Sequence, residues 1–259
     1  MKNLSVAIGM IVGMSLGLTG GGGSIFAVPL LTYGLGVPVG AALGLSLASV
    51  GAAAGFGAAL GLRAREIELQ AGLIFSMVGM VVAPIGAMIG HRIPSGTLLS
   101  AFAVMMGCVG MRMWRKRTGA PVKPGPCVTQ GEKKHTAGCY ATLSIAGAAS
   151  GLLSGLFGIG GGFVIVPSLL YAGIKIHRAV ATSLMVIFLI SVSGIIATII
   201  QGQQLPVRVT ALFLGGCLAG MLVGSALRSR LSGSALQKTF AVAMWLVAVF
   251  MLAKNLSDL

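Results

Sequence analysis

The sequence predicts an all-α polytopic membrane protein made of two homologous repeats. Three observations lead there. Only 8% of the 259 residues are charged and 56% are hydrophobic, with 41 glycines besides, and mean hydropathy is +0.99. Charge-free stretches as long as a membrane crossing follow one another along the chain. A glycine-rich motif ending in Val-Pro occurs twice at matching places. Soluble domains carry about 25% charged residues, so this chain cannot clothe a water-facing surface. That excludes a soluble globular protein, a nucleic-acid module and a disordered chain, and leaves a protein solvated by lipid.

The 18 Lys and Arg outnumber the 4 Asp and Glu, for a net charge of +14. Most of the excess lies between apolar stretches, where cytoplasmic loops collect basic residues. The acids are Glu66, Glu68, Glu132 and Asp258, and none falls inside an apolar stretch. Cation carriers and pumps usually hold a carboxylate at membrane depth, and this chain has none to offer. Cys108 and Cys217 sit in apolar helical segments and read as small core residues. Cys127 and Cys139 flank a basic loop; with no CxxC and no neighbouring His pair, a disulfide or metal site there has little support.

The spans follow from the gaps between charges. Residues 3–62 carry no charged side chain, nor do 69–91 and 93–111. Later stretches are 135–174, 179–207, 209–227 and 239–253. One helical crossing needs about 20 residues, so 3–62 must hold more than two crossings or a re-entrant piece. The opening segment, Met1 to Leu18, resembles a signal peptide but shows no small-x-small cleavage site before a soluble domain, so it is expected to persist. Residues 114–138 are rich in proline, glycine and basic side chains and read as an aqueous linker. The expected organisation is a first transmembrane repeat over 1–113, a basic cytoplasmic linker over 114–138 and a second repeat over 139–259.

The repeat is visible at an offset of 138. Gly17, Leu18, Gly20, Gly22, Gly23, Val28, Pro29, Leu31 and Tyr33 recur as Gly155, Leu156, Gly158, Gly160, Gly161, Val166, Pro167, Leu169 and Tyr171. After a one-residue slip, Gly44-Leu45-Ser46-Leu47 aligns with Ala181-Thr182-Ser183-Leu184. Duplicated membrane halves with interrupted segments at corresponding positions are the signature of a secondary transporter. The plainer alternative is a pair of small-residue helix-packing motifs.

Glycine costs about 1 kcal/mol relative to alanine in a helix interior, so Gly20, Gly21, Gly22, Gly23 and Ser24, and likewise Gly158, Gly160, Gly161 and Gly162, favour a break. Pro29 and Pro167 remove backbone donors and are expected to mark helix breaks. A half-helix starting at each run would point free N–H groups and the positive end of its dipole into the gap. Two such ends converging near the midplane would bind an anion without a buried Lys or Arg. Ser46, Thr182 and Ser183 could add hydroxyl donors, although each could instead bond the preceding helical turn. Arg92 and Arg230 read as interfacial anchors, and His91 and His177 as span-end residues. Neither glycine run continues to Gly-Lys-Ser/Thr, and no HExxH, GxSxG or Cys/His set occurs, so no enzyme activity is expected.

These residues resemble the TauE/SafE family of sulfite exporters and related permeases. The carriers are Gly158-Ile159-Gly160-Gly161-Gly162, then Val166-Pro167-Ser168-Leu169, then Ala181-Thr182-Ser183-Leu184. The first half departs from them with Gly21 for Ile159, Ser24 for Gly162 and Leu45 for Thr182, so a two-fold site would be asymmetric. The resemblance implies a permease for small anions such as sulfite, sulfonates or other organosulfur and carboxylate compounds.

Five crossings per half would invert the second repeat and four would leave the halves parallel; the distribution of Lys and Arg does not choose, and the long stretch 3–62 favours five. The expectation is eight to ten segments in a bacterial inner membrane, moving a small anion by alternating access, with no cofactor or metal and no nucleic-acid partner. A coupled proton and a homo-oligomer stay open. The rival function is a membrane scaffold or assembly component built on glycine packing.

Overall fold

The computed structural model describes residues 2–115, 127–129, 132–133, 137–158, 161–200, 207–228, 242 and 244–254. These form ten helical segments. In the first half, α1 spans Lys2–Thr19, α3 Val39–Arg63, α4 Leu69–Arg92 and α5 Ser95–Arg115. Between α1 and α3 lies α2, a short composite helix of a 3₁₀ turn (Gly22–Phe26), an α turn (Ala27–Pro29) and a π turn (Leu30–Gly34). In the second half, α6 spans Ala137–Phe157, α7 Gly162–Tyr171, α8 Ile176–Ile200 and α9 Val207–Arg228, and α10 spans Met244–Lys254. The linker contributes one departure from an all-helical chain, a two-residue antiparallel pair of β1 (Val128–Thr129) and β2 (Glu132–Lys133).

Among the described residues, five helices are long and apolar enough to cross a membrane: α3, α4, α6, α8 and residues 209–227 of α9. At 1.5 Å per residue the 25 residues of α3 reach about 37 Å, beyond a hydrocarbon core of roughly 30 Å. The outer surface carries bulky apolar side chains such as Val81, Ile145 and Ile200, each more than 70% exposed. Among the described residues the interior holds many small or hydroxylated ones, including Ala27, Ala53, Ala83, Ser46, Ser150 and Thr182. Membrane helices gain little by hiding leucine from lipid, so close backbone approach at small residues drives their association.

The halves interlock. Helix α1 packs along α9, α6 packs along α4, and α3 crosses α8. Each half therefore lends its first helix to the fourth helix of the other. Glycine makes both seams. A Cβ on Gly17 would lie 2.6 Å from the Met221 carbonyl oxygen, and one on Gly147 2.5 Å from that of Phe75. Gly9 and Gly13 in α1, and Gly151 and Gly155 in α6, would overlap the facing helix still more closely. These positions repeat at the same offset of 138, every fourth residue.

Two expectations about cysteine are corrected. Cys127 and Cys139 form a disulfide, with Cα atoms 4.7 Å apart. The missing CxxC was a poor guide, because the chain at Cys127 lies against the second half: its N–H donates to the Ala172 carbonyl at 3.2 Å, just past the end of α7. Cys108 is exposed on α5 rather than in the core, whereas Cys217 is buried.

Candidate functional site

The glycine runs fall where one helix stops and the next starts. Helix α1 closes with the Gly20 N–H on the Leu16 carbonyl at 2.8 Å, and α6 with the Gly158 N–H on the Ser154 carbonyl at 2.9 Å. Gly20 and Gly158, counterparts in the repeat, take φ values of +71° and +66°. A side chain there would strain the left-handed turn. Gly21 has φ +145° and Gly161 φ +64°, and the short helices begin at Gly22 and Gly162.

The chain stays helical through both prolines. Pro29 ends the α turn within α2 and is followed by the wider π turn, and Pro167 lies inside α7. The interruption sits upstream, at the glycines. Pro29 is the eighth residue from Gly22 and Pro167 the sixth of α7, past the four leading N–H groups that lack helical partners, so each removes one intrahelical bond without ending its helix.

The two junctions touch. A Cβ on Gly21 would lie 2.8 Å from the Gly162 Cα, and one on Gly162 2.5 Å from the Gly21 Cα and carbonyl oxygen. Each junction also rests on a long helix of the opposite half. A Cβ on Gly20 would come 2.9 Å from the Val180 Cα in α8, and one on Gly158 2.7 Å from the Leu43 Cα in α3. The structure thus gathers Gly20, Gly21, Gly158, Gly161 and Gly162. Gly160 lies outside the described residues, as does Arg230. Gly23 belongs to packing, since a Cβ there would strike the backbone of Ser15 and Leu16.

Hydroxyls surround this centre unequally. At the first junction, Thr19 Oγ1 donates to the Ser15 carbonyl at 2.7 Å and accepts the Gly23 N–H at 3.1 Å. Ser24 Oγ donates to the Gly21 carbonyl at 2.7 Å. Ser183 Oγ lies within bonding reach of the Gly20 and Val180 carbonyls. At the second junction, Ser150 Oγ donates to the Gly161 carbonyl at 3.1 Å. Ser46 and Ser154 are fully buried and their hydroxyls have no partner, as is true of Ser49 and Ser191 in α3 and α8. Gly161 caps α7 without a side-chain bond.

Thr182 is engaged elsewhere. Its Oγ1 accepts the Glu68 N–H at 2.9 Å, which satisfies an open donor at the head of α4. Glu68 also pairs with Arg178 at 2.5 Å, tying the α3–α4 turn to the start of α8. Arg178 is half exposed and the Glu68 side chain 17% exposed, so this pair stands at the rim. Arg92 and His177 are exposed as well, and His91 is half-buried. Ser150 and Ser154 went unrecognised in the sequence, because serines four apart in a glycine-rich helix look like packing residues; the glycines Gly9, Gly13 and Gly17 recurring as Gly147, Gly151 and Gly155 were the available sign that this face was shared.

A family model described as "Sulfite exporter TauE/SafE" matches residues 5–251. The chain belongs to the sulfite exporter TauE/SafE family. Among relatives, a "probable membrane transporter protein" of Xylella fastidiosa is 33% identical over 99% of this chain and 97% of its own length. The "probable membrane transporter protein YdhB" of Bacillus subtilis is 29% identical over 86% of this chain and 88% of its own. A similarly named protein of Methanocaldococcus jannaschii is 29% identical over 75% and 71%. With its five long apolar helices, this TauE/SafE member is a multi-pass membrane transport protein and not an enzyme.

Proposed function

We propose that this TauE/SafE protein is a secondary transporter carrying a small anion, sulfite or a related organosulfur or organic anion, across the cell membrane by alternating access. The observation that carries the reading is the meeting of the two glycine junctions, one from each half, at Gly21 and Gly162. Short helices start there, at Gly22 and Gly162, and the positive end of a helix dipole suits negative charge. The described residues put no carboxylate beside the junctions; Glu66 and Glu68 lie in the α3–α4 turn. In this reading the repeats are inverted with five segments each, the 114–138 linker is cytoplasmic, and any proton travels on the substrate, since sulfite is the base of a weak acid.

The scaffold alternative draws on the glycine seams, which packing alone explains. Two measurements separate the readings. A thermal-stability screen over sulfite, thiosulfate, sulfonates and short organic acids should single out the substrate through binding linkage. Counterflow of that anion into preloaded proteoliposomes should then exceed protein-free vesicles. A scaffold would give neither a ligand-dependent shift nor counterflow.

A further inference from the structure

We propose that the anion is held at the second junction, with Ser46 and Ser154 as its hydroxyl donors; this rests on the transport reading above. The junctions share a glycine turn but differ in what closes it. Ser183 stands one turn after Val180, against which Gly20 packs, and reaches the Gly20 carbonyl. Its counterpart Ser46 stands one turn after Leu43, against which Gly158 packs. The corresponding position therefore aims Ser46 at the second junction, where its hydroxyl bonds nothing.

Ser154 arrives from the other side. Ser150 donates to the Gly161 carbonyl, so that face of α6 looks onto the junction. Ser154 is one turn further along the same face, where residues four apart align. It is 0% exposed and without a partner. Buried polar groups in folded proteins almost always find partners. Two that do not, beside the start of a ten-residue helix whose N-cap Gly161 brings no side-chain bond, offer hydroxyls free to donate to a ligand. A ligand that only accepts hydrogen bonds satisfies all three elements at once. A small oxyanion is such a ligand; a cation or an amine is not. The first junction offers less, because Thr19, Ser24 and Ser183 already bond its own backbone.

The test is a sodium sulfite titration of the full chain in detergent, read as the concentration dependence of the melting temperature at constant ionic strength. Size-exclusion chromatography checks each variant. Ser46→Ala and Ser154→Ala should each weaken sulfite binding roughly ten- to a hundredfold, as loss of one bond to a charged ligand does. Ser76→Ala, which removes a buried hydroxyl bonded at 2.6 Å to its own helix, should keep wild-type affinity. Unchanged affinity in both Ser46→Ala and Ser154→Ala, with wild type binding sulfite, would overturn this assignment and leave the transport reading standing. Absence of any shift in wild type with sulfite, thiosulfate or sulfonates would overturn both.

Discussion

Along the seams the two halves treat glycine alike: Gly17 lies against the Met221 backbone as Gly147 lies against that of Phe75. At the junctions they part. Both turn at a left-handed glycine, Gly20 and Gly158, yet the first closes its carbonyls with Ser24 and Ser183 while Ser46 and Ser154 beside the second stay unpaired. Packing has been kept through the duplication and polar bonding has not. Unpaired buried hydroxyls carry a standing cost, about 1–3 kcal/mol each where no partner is available. Thr32, Ser49 and Ser191 are unpaired as well; Ser46 and Ser154 are set apart by their place beside a glycine junction whose counterpart closes its hydroxyls on backbone.

The seams should show the largest effects and no asymmetry. Gly13→Leu in α1 and Gly151→Leu in α6 must push apart helices whose backbones already meet. Overpacking costs about 1–3 kcal/mol for a few added atoms, and a leucine adds four heavy atoms in a place without room for one. Both variants should lose the monodisperse chromatographic peak. If one half tolerated leucine, the equivalence of the seams would fail.

The linker clip comes next, and it belongs to the second half alone. Cys127 and Cys139 enclose a short loop bonded to the end of α7, and closing a loop of this size stabilises by at most about 3 kcal/mol. Cys127→Ser should lower the melting temperature modestly. Disulfides persist in oxidising compartments, whereas a basic linker favours the cytoplasm. With the linker inside, both thiols should react with maleimide in permeabilised, acid-quenched cells without reductant. Reaction only after reduction would place the linker outside and reverse the topology.

The hydroxyls themselves should change stability in opposite directions when no anion is present. Ser183→Ala leaves the Gly20 carbonyl bare and should cost about 1 kcal/mol. Ser46→Ala and Ser154→Ala remove donors that bond nothing and should be neutral or stabilising. Thermal unfolding in anion-free buffer reads this directly, and equal losses at all three would erase the distinction between the junctions.

The smallest effects belong to the rim. Glu68 and Arg178 form a partly exposed pair, and such pairs contribute about 0–1 kcal/mol. Glu68→Gln and Glu66→Gln should leave the pH dependence of transport in vesicles intact. Its loss in either variant would give a protein carboxylate the proton that the substrate is here expected to carry.

Much of this was legible in the residues. Sparse charge and long apolar stretches established helices in lipid, and the offset of 138 located both junctions. What the pattern could not convey was distance. Thr182 and Ser183 are neighbours in sequence, but successive helical residues point about 100° apart, sending one to the Glu68 N–H and the other to Gly20. Pro29 and Pro167 looked like the breaks because proline disrupts helix interiors, yet both helices run on through a proline that lacks one bond. The Cys127–Cys139 bond depended on a loop returning to Ala172, which spacing alone does not encode.

The most direct test of the central claim is sulfite counterflow into proteoliposomes holding equal amounts of wild type, Ser76→Ala and the double variant Ser46→Ala/Ser154→Ala. Wild type and Ser76→Ala should accumulate labelled sulfite against protein-free controls, and the double variant should fall to the control level while remaining folded. Counterflow at the wild-type rate in the double variant would contradict the account.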